Sequence, residues 1–250
     1  MVQTFRLGVA LLAGVLAQLQ LAHAAERVDL LLALAMDVSR SMDQQKFLLQ
    51  REGYSAAISN PQVLNAIKSG PYQRIAVCFI DWSGPGEQRL VIDWSIIDGP
   101  QSGMRFGNLI GQAPRSFFNS TSIAGALDFA SSQLAKAPFE ADRHTIDVSG
   151  DGTNNSGRPV ELARDQAVSR GIIINGLAIL TDIQLAPNPQ HTNPPGGLEK
   201  YYRDHVIGGG GAFVMVAEDF SSFGRAMVKK LIAEIAAAPA PAATGGRRRS

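Results

Sequence analysis

The segment VDLLLALAM, Val28 to Met36, constrains the fold more than any other stretch, because Asp29 alone interrupts its apolar run. A strand with one wet face alternates apolar and polar residues, whereas a strand covered on both faces reads as continuous apolar sequence. This run therefore belongs in the middle of a sheet with helices packed above and below it.

The rest of the chain supplies the helices and further strands. Asp43 to about Asn60 has helical spacing, with Phe47, Leu48, Tyr54 and Ile58 placed to share a broad face, and Pro61 interrupts it before a further turn through Val63, Leu64 and Ile67. Arg74 to Ile80 and Glu87 to Ile96 read as strands joined by the turn DWSGPG, which makes one edge of the sheet antiparallel. A short helix over Gly103 to Gly111 and a longer one over Ser122 to Lys136 follow, then a strand His144 to Ser149, a helix Val160 to Arg170 and an Ile-rich strand Gly171 to Leu180. Leu198 to Val206 is expected as helix, Ala212 to Ala217 as the last strand and Phe220 to Ala237 as the last helix. This alternation predicts a three-layer αβα sandwich, an α/β fold with a mostly parallel, doubly wound sheet and one antiparallel edge. Thr181 to Gly197, with four prolines, reads as an inserted loop.

The two ends differ from this pattern. Arg6, the apolar segment Leu7 to Leu21 and the small-x-small site Ala22-His23-Ala24 read as a secretory signal peptide over residues 1–24. Gln18, Gln20 and His23 break the segment before it would span a bilayer comfortably. Residues 236–250, AAAPAPAATGGRRRS, read as a loose basic tail, leaving residues 25–235 as one domain. The whole chain has 23 basic and 22 acidic side chains, and removal of Arg6 with the leader leaves 22 of each, so no basic field favours nucleic acid. The single cysteine, Cys78, permits no internal disulfide and sits in IAVCFI as a core filler.

Three polar clusters lie at strand exits or at helix starts near them: Asp37, Ser39 and Ser41; NSTS at 119–122; and SGDGTNNSG at 149–157. In an open parallel sheet ligands gather at the carboxyl ends of the strands. Helix capping explains some of the hydroxyls, since Ser41 or Asp43 can cap the first helix and Ser122 a later one. Capping does not explain two carboxylates at one rim. Ser120, Ser122, Asn154 and Asn155 are expected to stand behind this rim or to be exposed rather than to bind directly. Enzyme signatures are weak. No G-x-S-x-G surrounds Ser39 or Ser149, GGGG at 208–211 lacks the Lys-Ser/Thr of a phosphate loop, and His144, His191 and His205 lack zinc-site spacing. An aspartyl-phosphate phosphatase would carry a second acid where Ser39 stands. Trp82 and Trp94, beside Asp81, Asp93 and Asp98 on the hairpin, read as core or boundary packing more than as a contact patch.

D-x-S-x-S after an apolar strand, a Thr opening a helix and S-G-D-G after a later strand resemble the von Willebrand factor A domain family. More closely, the chain from about 28 to 235 is similar to a group of uncharacterised exported bacterial proteins carrying this kind of domain. The resemblance implies a metal-ion-dependent adhesion site at Asp37, Ser39, Ser41, Thr121 and Asp151, with every position of the pattern filled. It implies Mg2+, or Mn2+ or Ca2+, held by hydroxyls with the carboxylates acting partly through water, and an open position for an Asp or Glu carboxylate of a protein partner. The function so implied is divalent-cation-dependent protein binding in the bacterial envelope, most simply the periplasm, with the extracellular medium as the other destination. A periplasmic scaffold with a stabilising ion and a metal-dependent hydrolase are the alternatives.

Overall fold

In the computed structural model, which describes residues 25–181 and 188–236, a six-stranded sheet is sandwiched between two helical layers. In chain order the elements are β1 (Glu26–Arg27), β2 (Leu31–Asp37), α1 (Gln44–Ile58), α2 (Pro61–Lys68), β3 (Ile75–Trp82), β4 (Gln88–Ile97), α3 (Pro100–Gln112) and α4 (Ile123–Leu134). Next come β5 (Phe139–Glu140), β6 (His144–Gly150), α5 (Val160–Ser169), β7 (Ile172–Ile179), α6 (Leu198–Tyr201), β8 (Val214–Ala217) and α7 (Phe223–Ala236). A π-helical turn, Tyr202–Val206, continues α6. The expected signal peptide and nearly all of the basic tail lie outside the described residues.

The main sheet runs β4-β3-β2-β6-β7-β8, parallel except for the β3–β4 pair. Every residue of β2 is buried, and its alternation sorts two cores. Leu30, Leu32, Leu34 and Met36 pack with α1, α2, α3 and α7, whereas Leu31, Ala33 and Ala35 pack with α4, α5 and α6. That double coverage is why the run shows no polar period. Burial is not uniform along the helix face read from the sequence: Phe47, Tyr54 and Ile58 are buried, but Leu48 is 46 % exposed. Leu48 follows Phe47 by one step of about 100°, which carries it past the edge of the stripe.

Two other readings shift. The strand read from Val28 begins only at Leu31, as β2, and the Asp29 carboxylate before it is taken up by the backbone N–H groups of Tyr72 and Arg74. The short β1–β5 pairing was invisible in the sequence, at two residues per strand. Trp82 is fully buried and Trp94 packs half-buried against the α4 side, as core packing requires. The turn through GGGG places Gly209 and Gly211 at φ 96° and 79°, conformations open to glycine at little cost.

Sequential connections leave β2 toward β3 on one side, and β6 leads to β7 on the other, so the winding reverses between the adjacent strands β2 and β6. The carboxyl ends of these two strands open onto the crevice where such sheets bind ligands.

Candidate functional site

Asp37 ends β2, and its Oδ1 accepts the backbone N–H of Ser39 at 2.7 Å, a local turn that brings Ser39 and Ser41 back over the strand end. Ser39 Oγ and Ser41 Oγ are 3.1 Å apart. Ser41 Oγ donates to Asp151 Oδ1 at 2.6 Å, just past β6, and Thr121 Oγ1 donates to Ser39 Oγ at 3.1 Å. All five side chains expected at the rim thus meet in one buried cluster, Ser41 being the most exposed at 7 %.

Neighbouring loops hold this cluster in place. Asp43 caps α1 by accepting from Lys46 N, so the capping role falls to Asp43 and leaves Ser41 to the cluster. Ser122 caps α4 at the Gly125 N–H. Asn155 Oδ1 accepts from Thr121 N, and Asn154 Oδ1 from Ala124 N, which ties the third loop to the second. Arg115 was not singled out from the sequence. Its guanidinium donates to the carbonyls of Val38, Ser39 and Met42, pinning the whole first loop from below. Lys46 reaches Ser41 O at 3.1 Å and lies 3.5 Å from Asp151 Oδ2.

The electrostatics are unbalanced. Asp37 Oδ2 is buried without a hydrogen-bond partner, and so is the nearby Tyr202 hydroxyl. Burial first, and the Asp151 charge second, push the Asp37 carboxyl up to about 8, against the opposing hydrogen bonds from Ser39 and the Arg115 charge. Gly150 makes this approach possible: a Cβ there would lie 2.9 Å from Asp37 Oδ2 and 2.7 Å from Tyr202 Oη.

These donors fit a hard divalent cation. Adjacent oxygens around an octahedral ion at about 2.1 Å stand roughly 3.0 Å apart, close to the successive contacts of 2.6, 3.1 and 3.1 Å here. A positive ion would also relieve the two neighbouring carboxylates. Among the described residues no three His, Cys, Asp or Glu side chains stand together as a metal group; here the donors are mainly hydroxyls. Among the described residues the Ser41 hydroxyl is bonded to Asp151 and Ser39 and to no histidine, which is not the arrangement of a serine hydrolase.

His191 is the second residue missed, because chain spacing gave it no partner. The described part of the inserted loop brings it onto the cluster, 6 % exposed. Its Nε2 is 3.3 Å from Thr121 Oγ1, its Nδ1 is 3.4 Å from both Thr153 Oγ1 and Asn155 Nδ2, and its carbonyl accepts from Thr153 N at 2.9 Å. Burial holds the imidazole below its ordinary value, against the pull of the Asp151 charge.

A central parallel sheet with an antiparallel edge, and with polar loops at its switch point, defines a von Willebrand factor A-type fold, and solved structures bear this out. Proximal thread matrix protein 1 from the mussel byssus, with a zinc-occupied MIDAS motif, aligns at TM-score 0.58 and 11 % identity over 84 % of this chain and 49 % of its own. The pilus adhesin SpaC from Lactobacillus rhamnosus GG aligns at 0.60 and 14 %, over 82 % and 31 %. A von Willebrand factor type A protein from Catenulispora acidiphila aligns at 0.55 and 13 %, over 83 % and 43 %. The chain therefore spans about half or less of the length of these proteins. A search of the curated proteins finds no match. The chain belongs to the family DUF1194, proteins of unknown function, whose model matches residues 27–239. Among the described residues no helix is long and apolar enough to cross a membrane.

Proposed function

We propose that the chain is a divalent-cation-dependent protein-binding module of the bacterial envelope, with Asp37, Ser39, Ser41, Thr121 and Asp151 as the cation site. One observation carries the reading: two carboxylates and three hydroxyls from three loops form a continuous buried cluster in which Asp37 Oδ2 has no partner. Mg2+ suits an all-oxygen set, with Mn2+ or Ca2+ as substitutes. Only two carboxylates balance the ion, so an Asp or Glu carboxylate of a protein partner is the anion it would still attract. The adhesin SpaC and the zinc-occupied MIDAS motif of the mussel protein support this assignment by fold. The leader-like residues 1–24 support export, to the periplasm or beyond.

The burial of all five side chains favours a second reading, in which the ion mainly braces the loops. Calorimetric titration with Mg2+ and Mn2+ tests the site. Saturation near one ion per chain is expected, weakened in Asp37→Ala and in the Ser39→Ala/Ser41→Ala double variant. Unchanged binding in both variants would sink the assignment. Partner capture from envelope extract, with and without chelator, separates the two readings: a chelator-sensitive partner supports the binding module, and a cation-dependent melting shift with no such partner supports the brace.

A further inference from the structure

The inserted loop offers a donor that an all-oxygen site does not contain. His191 Nε2 lies 3.3 Å from Thr121 Oγ1, continuing the run of contacts of 2.6, 3.1 and 3.1 Å that links Asp151, Ser41, Ser39 and Thr121. The imidazole is seated closely, since a Cβ on Gly152 would fall 2.3 Å from both Cε1 and Nε2. Its main chain is anchored by Thr153 N to the same loop that carries Asp151. We infer that His191 is a nitrogen ligand of the cation site and that it makes the site selective for a borderline transition metal, Zn2+ in the first instance, over Mg2+.

The inference rests on the cation site proposed above. Zn2+ takes imidazole nitrogen readily, whereas Mg2+ is held by oxygens and keeps its water, so one well-placed imidazole discriminates between them. The far nitrogen decides whether Nε2 is available. Thr153 Oγ1 can accept a proton held on Nδ1, which leaves the Nε2 lone pair free; Asn155 Nδ2 can donate to Nδ1 in the other tautomer, with Nε2–H turned to Thr121. Metal loading selects the first arrangement.

The test is a competitive titration of the purified chain with Zn2+ and Mg2+, comparing wild type, His191→Ala, His191→Gln and Ser39→Ala/Ser41→Ala. Nitrogen-detected NMR of the imidazole runs alongside. Both His191 variants should lose Zn2+ affinity by at least about tenfold more than Mg2+ affinity, tenfold being the low end of what a lost metal-site partner costs. Zn2+ should also shift the Nε2 resonance in the wild type. Gln retains a polar group for Thr121, so recovery of Zn2+ affinity in His191→Gln would mean bracing and overturn the proposal. An unchanged Zn2+ to Mg2+ ratio in both His191 variants would overturn it too, and the cation-site reading would survive if the double serine variant still lost both metals. Wild-type affinity for both metals in the double serine variant would remove that reading, and this proposal with it.

Discussion

The buried charge cluster beneath the sheet makes the sharpest stability prediction. Lys230 on α7 lies 2.8 Å from Asp147 Oδ1 on β6 and also pairs with Glu234, and all three side chains are at most 2 % exposed. Asn175 Nδ2 adds a hydrogen bond to Glu234 Oε1 at 2.9 Å. One ammonium facing two carboxylates leaves an excess negative charge, with Asp147 Oδ2 and Glu234 Oε2 unpartnered. Burial and then the Asp147 charge push Glu234 from 4.5 up to about 7, and burial raises Asp147 as well. The folded state therefore binds this proton more tightly than the unfolded chain. The stability it confers is complete below pH 4.5 and is lost as pH rises through about 7. At about 1.4 kcal/mol per pKa unit, the shift corresponds to roughly 3 kcal/mol as an order of magnitude. Glu234→Gln cannot ionise, keeps an oxygen for Lys230 and Asn175, and leaves Asp147 and Lys230 as a one-to-one pair. Urea unfolding of both proteins from pH 4.5 to 8 should show the variant gaining stability relative to wild type as pH rises, by up to roughly 3 kcal/mol. Because the comparison is a difference, titrating groups outside the Asp147–Lys230–Glu234 cluster cancel. Parallel pH profiles would refute the reasoning.

Four further outcomes follow from particular contacts. Lys230→Met leaves two buried carboxylates without a counter-charge and should cost about 3–5 kcal/mol near neutral pH, with partial recovery at pH 5 in the same urea assay. Gly150→Ala drives a methyl against Asp37 Oδ2 and Tyr202 Oη, and should lower stability by about 1–3 kcal/mol and weaken Mg2+ binding together. Arg115→Ala frees the carbonyls of Val38, Ser39 and Met42; Mg2+ affinity should fall by about 10–100-fold with the circular dichroism spectrum unchanged. Cys78 is fully buried and its thiol is pushed up by burial, so labelling by a thiol reagent should proceed only at the rate of unfolding.

How far the sequence reached is clearest from which kind of information each residue needed. The sheet was legible because double burial leaves a one-dimensional trace: β2 needs apolar side chains at every position, and Leu30 through Met36 provides them. The rim was legible because its three polar clusters sit within a few positions of a strand exit or helix start, so local pattern placed them at one edge, and the resemblance to the von Willebrand factor A family picked out Asp37, Ser39, Ser41, Thr121 and Asp151 within them. Arg115 and His191 needed distances through space. Arg115 stands 77 positions from Val38, and His191 stands 70 from Thr121. Neither lies in a periodic segment, and a loop carries no periodic trace of what it will cover. The Asp147–Lys230–Glu234 cluster was hidden differently. Asp147 lay in plain view within TIDV, but a charge inside an apolar strand reads as an anomaly until α7 supplies Lys230. A single sequence thus marks where backbone geometry repeats and where polar loops begin. What it leaves out is which distant side chain satisfies a buried charge or approaches a donor set, and in this protein those distant side chains are Lys230 at the core cluster and Arg115 and His191 at the rim.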